Sequence, residues 1–485
     1  MKITIEPALE TWVLPEKSRG SDTSSRADDD IVGCINGHAE RLGSDPIRQG
    51  VLGEDVIATG HQGWFWHPGI LAKDVAVGMM AERLGGHALH LVVDQDAHEA
   101  LSIKFPIIQK DELLTQTIRL APHSSTIPIG YQPAVDVCEV KRHLQLLPEP
   151  MKSGMLAAWS DLPDCRSLAE QIAVVQMRLM TPYVGRMSLL FASDFPKLAS
   201  YRNMINEMMR DPAGCVQQYN RAVYEHPQAG ITPLLLSREL VELPLWAVRM
   251  NQTRKKVYVD IADSIHLLVD ERGEVIDTDE YDLLPRALML TAFMRSHVSG
   301  LFVHGTGGYV YDRITEVWML RWRGVRLWPM VLVTADLQLD LAVPVAGKGD
   351  LERAVWYAHH APHNVDRLLN GMVEDRGLVL EKQEILAHMD DDRDRKRRRG
   401  LFFRLHEINE QLGVAHEDVL ENAGAQLRRT KVGVKNREIA AKRDWSFPLY
   451  TDRQLCGIKE EMVKQLLHCK AEDTEQKVSK SSSCV

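Results

Sequence analysis

The stretch from Asp55 to Asp96 admits few folds. "DVIATG" (55–60) reads as a buried strand, Ile70–Leu84 as a helix, and "HALHLVVDQD" (87–96) as a second strand. Pro68 stands where its fixed φ favours a helix start, and Gly85-Gly86 where a left-handed C-cap needs glycine. A strand–helix–strand unit with a right-handed crossover places its two strands parallel. The same grammar recurs. "MSLLFASDF" (187–195) is a strand followed by a helical stretch through Met209. "SGLFVHGTGG" (299–308) runs into a Gly-rich turn, then a helix ending at Gly324, then the strand "VRLWPMVLVT" (325–334). Strands alternating with helices predict an α/β fold with a parallel sheet covered on both faces.

At 485 residues the chain exceeds one ordinary core, so attached pieces are expected around that sheet. Residues 1–50 read as an N-terminal extension packing on the core, with a solvated polar loop over 16–30. Residues 51–350 read as the core, with insertions at about 138–180 (helix and loop) and 225–280 (antiparallel strands). Residues 351–443 lack proline after Pro362 and carry Leu401, Leu405, Ile408, Leu412, Val419 and Leu427 at roughly helical spacing, which predicts a helical hairpin or short coiled coil. The charge run "DDDRDRKRRRG" (390–400) reads as its solvated tip. Residues 444–470 restore aromatic and proline content and predict a return to the core; 471–485 read as a disordered tail.

A net charge of −9 offers no pull toward nucleic acid or anionic membrane, and no apolar run approaches a transmembrane span. The seven cysteines are scattered with no CxxC pair, and the N-terminus lacks a signal-peptide core, so a reduced cytoplasmic protein is expected.

Ligands in open parallel sheets bind at the carboxyl ends of the strands, and three features fall there. The first is "ATGHQGWFWHPG" (58–69). Thr59, Gly60, His61 and Gln62 precede a helix start, where backbone N–H groups favour a phosphate; the alternative is a glycine turn with packed aromatics. Trp64, Phe65 and Trp66 cannot all face one core, so at least one lines a groove. The second is "VVDQDAHE", where period-two spacing puts Asp94 and Asp96 on one side, suited to Mg²⁺ or an amine, unless one is a helix N-cap. In the third, Gly305, Thr306, Gly307 and Gly308 allow backbone amides to approach a phosphate or ribose. His359, His360 and His363 cluster without a carboxylate or cysteine to complete a metal site, and read as a helix surface.

The order TG-x-Q-G, an apolar strand ending in D-x-D, "IPIGY" (127–131) and a strand ending in a Gly-rich loop resembles the cysteine-adding enzyme family of bacillithiol biosynthesis, over residues 50–345. The resemblance implies a Rossmann-like core with inserted connecting segments and a C-terminal coiled coil used for dimerisation. It implies a ligase joining cysteine to an aminosugar-malate acceptor, with ATP or another nucleotide and Mg²⁺ as expected companions. The family's TGQQ falls on Thr59, Gly60, His61 and Gln62, its EDHD on Val93, Asp94, Gln95 and Asp96, its arginine near Arg286, and its GGPGE on His304–Gly308, with Tyr311 beyond. Lys73 stands one residue away from the family's first-helix lysine. His61 replaces a glutamine, Gln95 a histidine, Val93 and Gly308 glutamates. The expected roles are catalysis by His61, Asp94 and Asp96, substrate binding by Gln62, Gln95 and Arg286, and nucleotide binding by Thr59, Gly60, Gly305, Thr306, Gly307 and Tyr311. Two rivals are a different nucleotide-dependent transferase on the same core and a non-catalytic dimeric nucleotide-binding protein.

Overall fold

The computed structural model describes residues 1–12, 26–262, 266–369, 375–391 and 393–481. The strands are β1 (Lys2–Glu6), β2 (Gly53–Gln62), β3 (His87–Val93), β4 (Ser102–Gln109), β5 (Glu112–Arg119) and β6 (Ser188–Phe191). They continue as β7 (Leu240–Val248), β8 (Lys255–Asp260), β9 (Leu267–Val269), β10 (Asp282–Pro285), β11 (Ser299–His304) and β12 (Met330–Asp336). Two compact units result: Met1–Phe105, Thr117–Leu337 and Arg443–Val485 form the first, and Pro106–Gln116 with Gln338–Lys442 the second.

In the first unit, β1-β12-β11-β2-β3-β6 form one sheet, in which β1 alone is antiparallel to its neighbour. The chain is thus α/β with a mixed, mainly parallel sheet. Strand order advances from β2 through β3 to β6 on one side, and from β11 to β12 on the other. It changes direction between β2 and β11, where sheets of this kind open a crevice. Val56, Ile57 and Ala58 of β2 and Leu89 and Leu91 of β3 are fully buried, as continuous apolar runs must be under helices on both faces.

Up to Leu337 the helices of this unit are α1 (Arg26–Leu42), α2 (Pro68–Leu84), α3 (Val137–Leu144), α4 (Met151–Ala158), α5 (Leu168–Val184), α6 (Ala199–Arg210), α7 (Pro212–Glu225), α8 (Ala287–Phe293) and α9 (Thr306–Arg323), and a last helix follows Arg443. α2 is the expected crossover, with Pro68 in its first turn and Gly85 at φ 70° as its C-cap. It is buried along nearly its whole length, as an apolar helix under a sheet should be. The expected antiparallel insertion is the sheet β10-β7-β8-β9.

Three expectations need correction. Residues 1–50 build the core as well as packing on it, because β1 is the sheet's edge strand and pairs with β12. Of the expected loop at 16–30, residues from Arg26 onward belong to α1, whose apolar Ile31, Val32 and Ile35 are fully buried; 13–25 lie outside the described residues. The last described helix runs Asp452–Ser481 and so continues into the stretch read as a disordered tail; 482–485 lie outside the described residues. Residues from Arg443 onward belong to the first unit. Trp445, Phe447 and Tyr450 are buried, Ser446 Oγ donates to Phe65 O at 3.0 Å and Phe447 N to Trp66 O at 2.6 Å.

The second unit contains α10 (Lys348–His360), α11 (Val365–Leu368), α12 (Arg376–Asp391), α13 (Arg395–Ala415) and α14 (Glu417–Ala440). Ile385, Ile408 and Leu412 form the core of the α12/α13 hairpin, with Leu401 and Leu405 half-buried against it. The turn between the two helices falls within the charge run, whose basic residues from Arg395 open α13 and are exposed. The tip of the β4/β5 ribbon belongs to this unit because fully buried Asn436 of α14 holds it, accepting from Leu113 N at 2.7 Å and donating to Asp111 O at 2.6 Å. Among the described residues no helix is long and apolar enough to cross a membrane.

Candidate functional site

A cavity of about 380 Å³ opens where the strand order changes direction. The carboxyl ends of β2, β3, β11 and β12 and the first turns of α2 and α9 line it. Gly60, His61, Gln62, Gln95, Asp96, Gly305, Thr306, Gly307 and Tyr311 all reach it, so nine of the residues singled out from the sequence converge on one space.

The α9 end is built for an anion. Gly305 is the N-cap, and the first intrahelical bond is Tyr309 N to Gly305 O at 3.0 Å. The amides of Thr306, Gly307 and Gly308 therefore have no acceptor within the helix. Lys73 of α2 and Arg443 of the return segment line the same cavity. The Lys73 ammonium donates to Gly60 O at 2.7 Å, and burial pulls its pKa down to about 8. Arg443 is held by Thr334 Oγ1 at 3.0 Å and Asp336 at 2.8 Å. None of Gly305, Gly307 and Gly308 has a positive φ, so these glycines serve space and not a left-handed turn.

The β2/β3 side is neutral to acidic. His61 is kept uncharged, first by burial and then by the Lys73 charge. Its ring lies 6.4 Å from Trp64, in a stacked pair, and 6.0 Å from the edge of buried Trp66. Trp64 is the exposed member of the aromatic triplet. His67 caps α2 by accepting from Gly69 N at 3.1 Å, and burial lowers its pKa to about 4. Gln62 Nε2 donates to Asp96 Oδ2 at 3.1 Å and Arg254 Nη1 to Asp96 Oδ1 at 2.6 Å, which fixes that carboxylate. Gln95 is 2% exposed and its Oε1 has no hydrogen-bond partner. A buried unpaired acceptor costs about 1–3 kcal/mol, so a donor on a bound molecule would be welcome there.

Three of the expected site residues stand elsewhere. Thr59 is fully buried and gives its hydroxyl to Val303 O at 2.8 Å, tying β2 to β11. Asp94 does not share a side with Asp96, because β3 ends at Val93 and strand alternation ends with it. It turns instead toward Ser193, whose N donates to Asp94 Oδ1 at 2.9 Å. Among the described residues Asp96 is thus the one carboxylate lining the cavity, and the expected aspartate pair for Mg²⁺ is not formed. Arg286 pairs with Glu242 at 2.6 Å and lies over Trp246, outside the lining.

His67, Thr334, Arg443, Arg254 and Asp312 carry no role in the motif reading, and His304 enters it only as the first residue of the Gly-rich loop. His304 lines the cavity at the end of β11, and its Nε2 lies 2.9 Å from Asp312 Oδ2. Asp312 is fully buried; burial alone would raise its pKa, but His304, Arg295 and Thr291 hold it well below the usual carboxylate range. A strand-end histidine followed eight residues later by an aspartate on the next helix was the available signal.

A second cluster, Cys34, His38 and Asp194, borders a wider pocket of about 700 Å³. Arg41 Nη2 stands 3.2 Å from His38 Nδ1, and a guanidinium can only donate. His38 Nδ1 is therefore the acceptor, and Nε2 carries the proton given to Asp194 at 2.7 Å. Burial, then the Asp194 charge, pushes the Cys34 thiol up to about 12. The cluster reads as a hydrogen-bonded lock between α1 and the turn after β6, with neither the free imidazole lone pair nor the thiolate that a metal ion takes. No family model matches this sequence, and no curated protein shows significant similarity to it.

Proposed function

We propose that this chain is a cytoplasmic, nucleotide-dependent ligase that joins the carboxyl group of cysteine to the amine of an aminosugar acceptor. On this reading the main sheet is a Rossmann-like core, and the helical second unit carries a coiled coil that pairs two copies. The observation that carries the proposal is the cavity's division into two ends. Free helix amides, Lys73 and Arg443 stand at one end, and a fixed carboxylate with amide side chains stands at the other.

The nucleotide, as substrate, supplies the phosphoryl group that turns a carboxylate oxygen into a leaving group. Its phosphates fit the first turn of α9, where the helix dipole and the Lys73 and Arg443 cations favour negative charge. These donors stabilise the charge that builds on the departing phosphate. Asp96, held by Gln62 and Arg254, receives a substrate ammonium group; were Mg²⁺ to accompany the nucleotide, Asp96 would be the lining carboxylate to hold it, and the ion would offset phosphate charge. Gln95 Oε1 accepts from an N–H or O–H group of the bound molecule. His61, being uncharged, orients substrate by hydrogen bonding and is poorly suited to binding phosphate as a cation.

The test is incubation of the purified protein with ATP, Mg²⁺, cysteine and a panel of aminosugars, read by mass spectrometry. A new cysteinyl amide supports the proposal. Transfer of another group to the acceptor favours a different nucleotide-dependent transferase, and binding without turnover favours a non-catalytic nucleotide-binding protein.

A further inference from the structure

We propose that His304, oriented by Asp312, is the base that takes the proton from the attacking amine in this cavity; the inference rests on the ligase reading above. Three geometric facts lead to it. Asp312 accepts from Arg295 Nη1 at 2.7 Å and from Thr291 Oγ1, so it is an ionised carboxylate and can only accept from the imidazole. In the neutral imidazole the ring proton of His304 is therefore on Nε2, and the lone pair is on Nδ1. That Nδ1 borders the first turn of α9, where a Cβ on residue 308 would stand less than 3.0 Å from it, so glycine at this position keeps side-chain atoms off the nitrogen of a residue that lines the cavity.

The other imidazoles of the cavity are less suited. His67 Nδ1 already accepts from Gly69 N in capping α2, and His61 is disfavoured as a proton acceptor by burial beside Lys73. His304 alone has a carboxylate behind it to stabilise the imidazolium that forms. It also stands beside the amides proposed to hold the phosphate, where the activated carboxyl carbon would lie.

The step balances. The amine nitrogen attacks the activated carboxyl carbon and a C–N bond forms. The bond from that carbon to the phosphoryl oxygen breaks, and the phosphate group leaves with the electron pair. The proton released by the nitrogen passes to His304 Nδ1. Asp312 is the positioning residue, since it keeps the tautomer and does not take the proton.

The experiment compares wild type with His304→Gln, which retains a donor toward Asp312 but no basic nitrogen. Turnover should fall about 10²- to 10⁴-fold, the range for a lost general base. ATP binding by calorimetry should change by less than about threefold, and the acidic limb of the kcat–pH profile should disappear. Added imidazole should restore part of the activity to His304→Gly. Undiminished kcat in His304→Gln, or an unchanged pH profile, overturns the proposal while leaving the ligase reading in place. Absence of amide product from wild type overturns the ligase reading and with it the role in amine deprotonation. The tautomer is then read separately by ¹⁵N imidazole shifts, assigned by difference from His304→Gln; a proton on Nδ1 would overturn the geometric argument as well.

Discussion

Asp94 offers a test of the structure that needs no ligand. Its side chain is 1% exposed; Oδ1 accepts from Ser193 N, while Oδ2 has no partner. Burial, with the nearby Asp194 charge adding to it, raises its pKa from 3.8 to about 7. A carboxyl group that holds its proton more tightly when folded contributes stability below its unfolded pKa and loses it as pH rises through the folded value. At about 1.36 kcal/mol per pKa unit, the rise from 3.8 to about 7 corresponds to about 4 kcal/mol lost between pH 4 and pH 8. Asp94→Asn keeps an oxygen for Ser193 N and cannot ionise. Its unpaired amide carries a desolvation cost at every pH, so that cost cancels when two pH values are compared. Urea unfolding of both proteins should show the variant gaining about 2–3 kcal/mol on wild type from pH 5 to pH 8, the part of that loss that falls above pH 5. A difference that does not change with pH would refute the placement of Asp94 as a buried, isolated carboxyl.

Anion binding should weaken as pH rises through about 8, because Lys73 then loses the charge that faces the phosphate; calorimetric titration of ATP at pH 7 and pH 9 reads this, and equal affinities would remove Lys73 from the site. His61 and Gln95 line one cavity with one imidazole and one amide between them. If the two positions exchange roles, His61→Gln and Gln95→His should each impair binding more than the double variant does, and additive losses would show independence. Among the described residues of the second unit, Trp356, Leu380, Phe402 and Phe403 are large apolar side chains about half or more exposed, more than a helical bundle usually leaves in water. Light scattering should therefore report a dimer at micromolar concentration; a monomer would contradict the pairing proposed for these helices.

The core was legible because its signals are local. Apolar runs at 55–60, 87–93 and 299–304, Pro68 at a helix start and Gly85 and Gly324 at helix ends carry their meaning within a few residues. The edge position of β1 was not, since pairing Lys2–Glu6 with a strand more than 320 residues later leaves no trace in spacing. The site divides the same way. Residues at strand ends were found from their neighbours, whereas Arg443 arrives from beyond the helical unit and has no motif around it. Asp94 shows how a local rule fails at its boundary: period-two alternation holds within β3 and gives no direction past Val93. Thr59 and Arg286 were right in type but already have partners inside the protein.

The central claim is that phosphate lies against the first turn of α9, and Gly307 tests it most directly. Gly307 lines the cavity and a Cβ on it would meet nothing within 4 Å, so Gly307→Val is sterically compatible with the fold and adds bulk at the cavity wall. Calorimetric titration with ATP and Mg²⁺ should show binding to wild type and at least a tenfold loss in the variant, with unchanged circular dichroism. Equal affinity in a folded Gly307→Val protein, or no binding to wild type, would contradict the account.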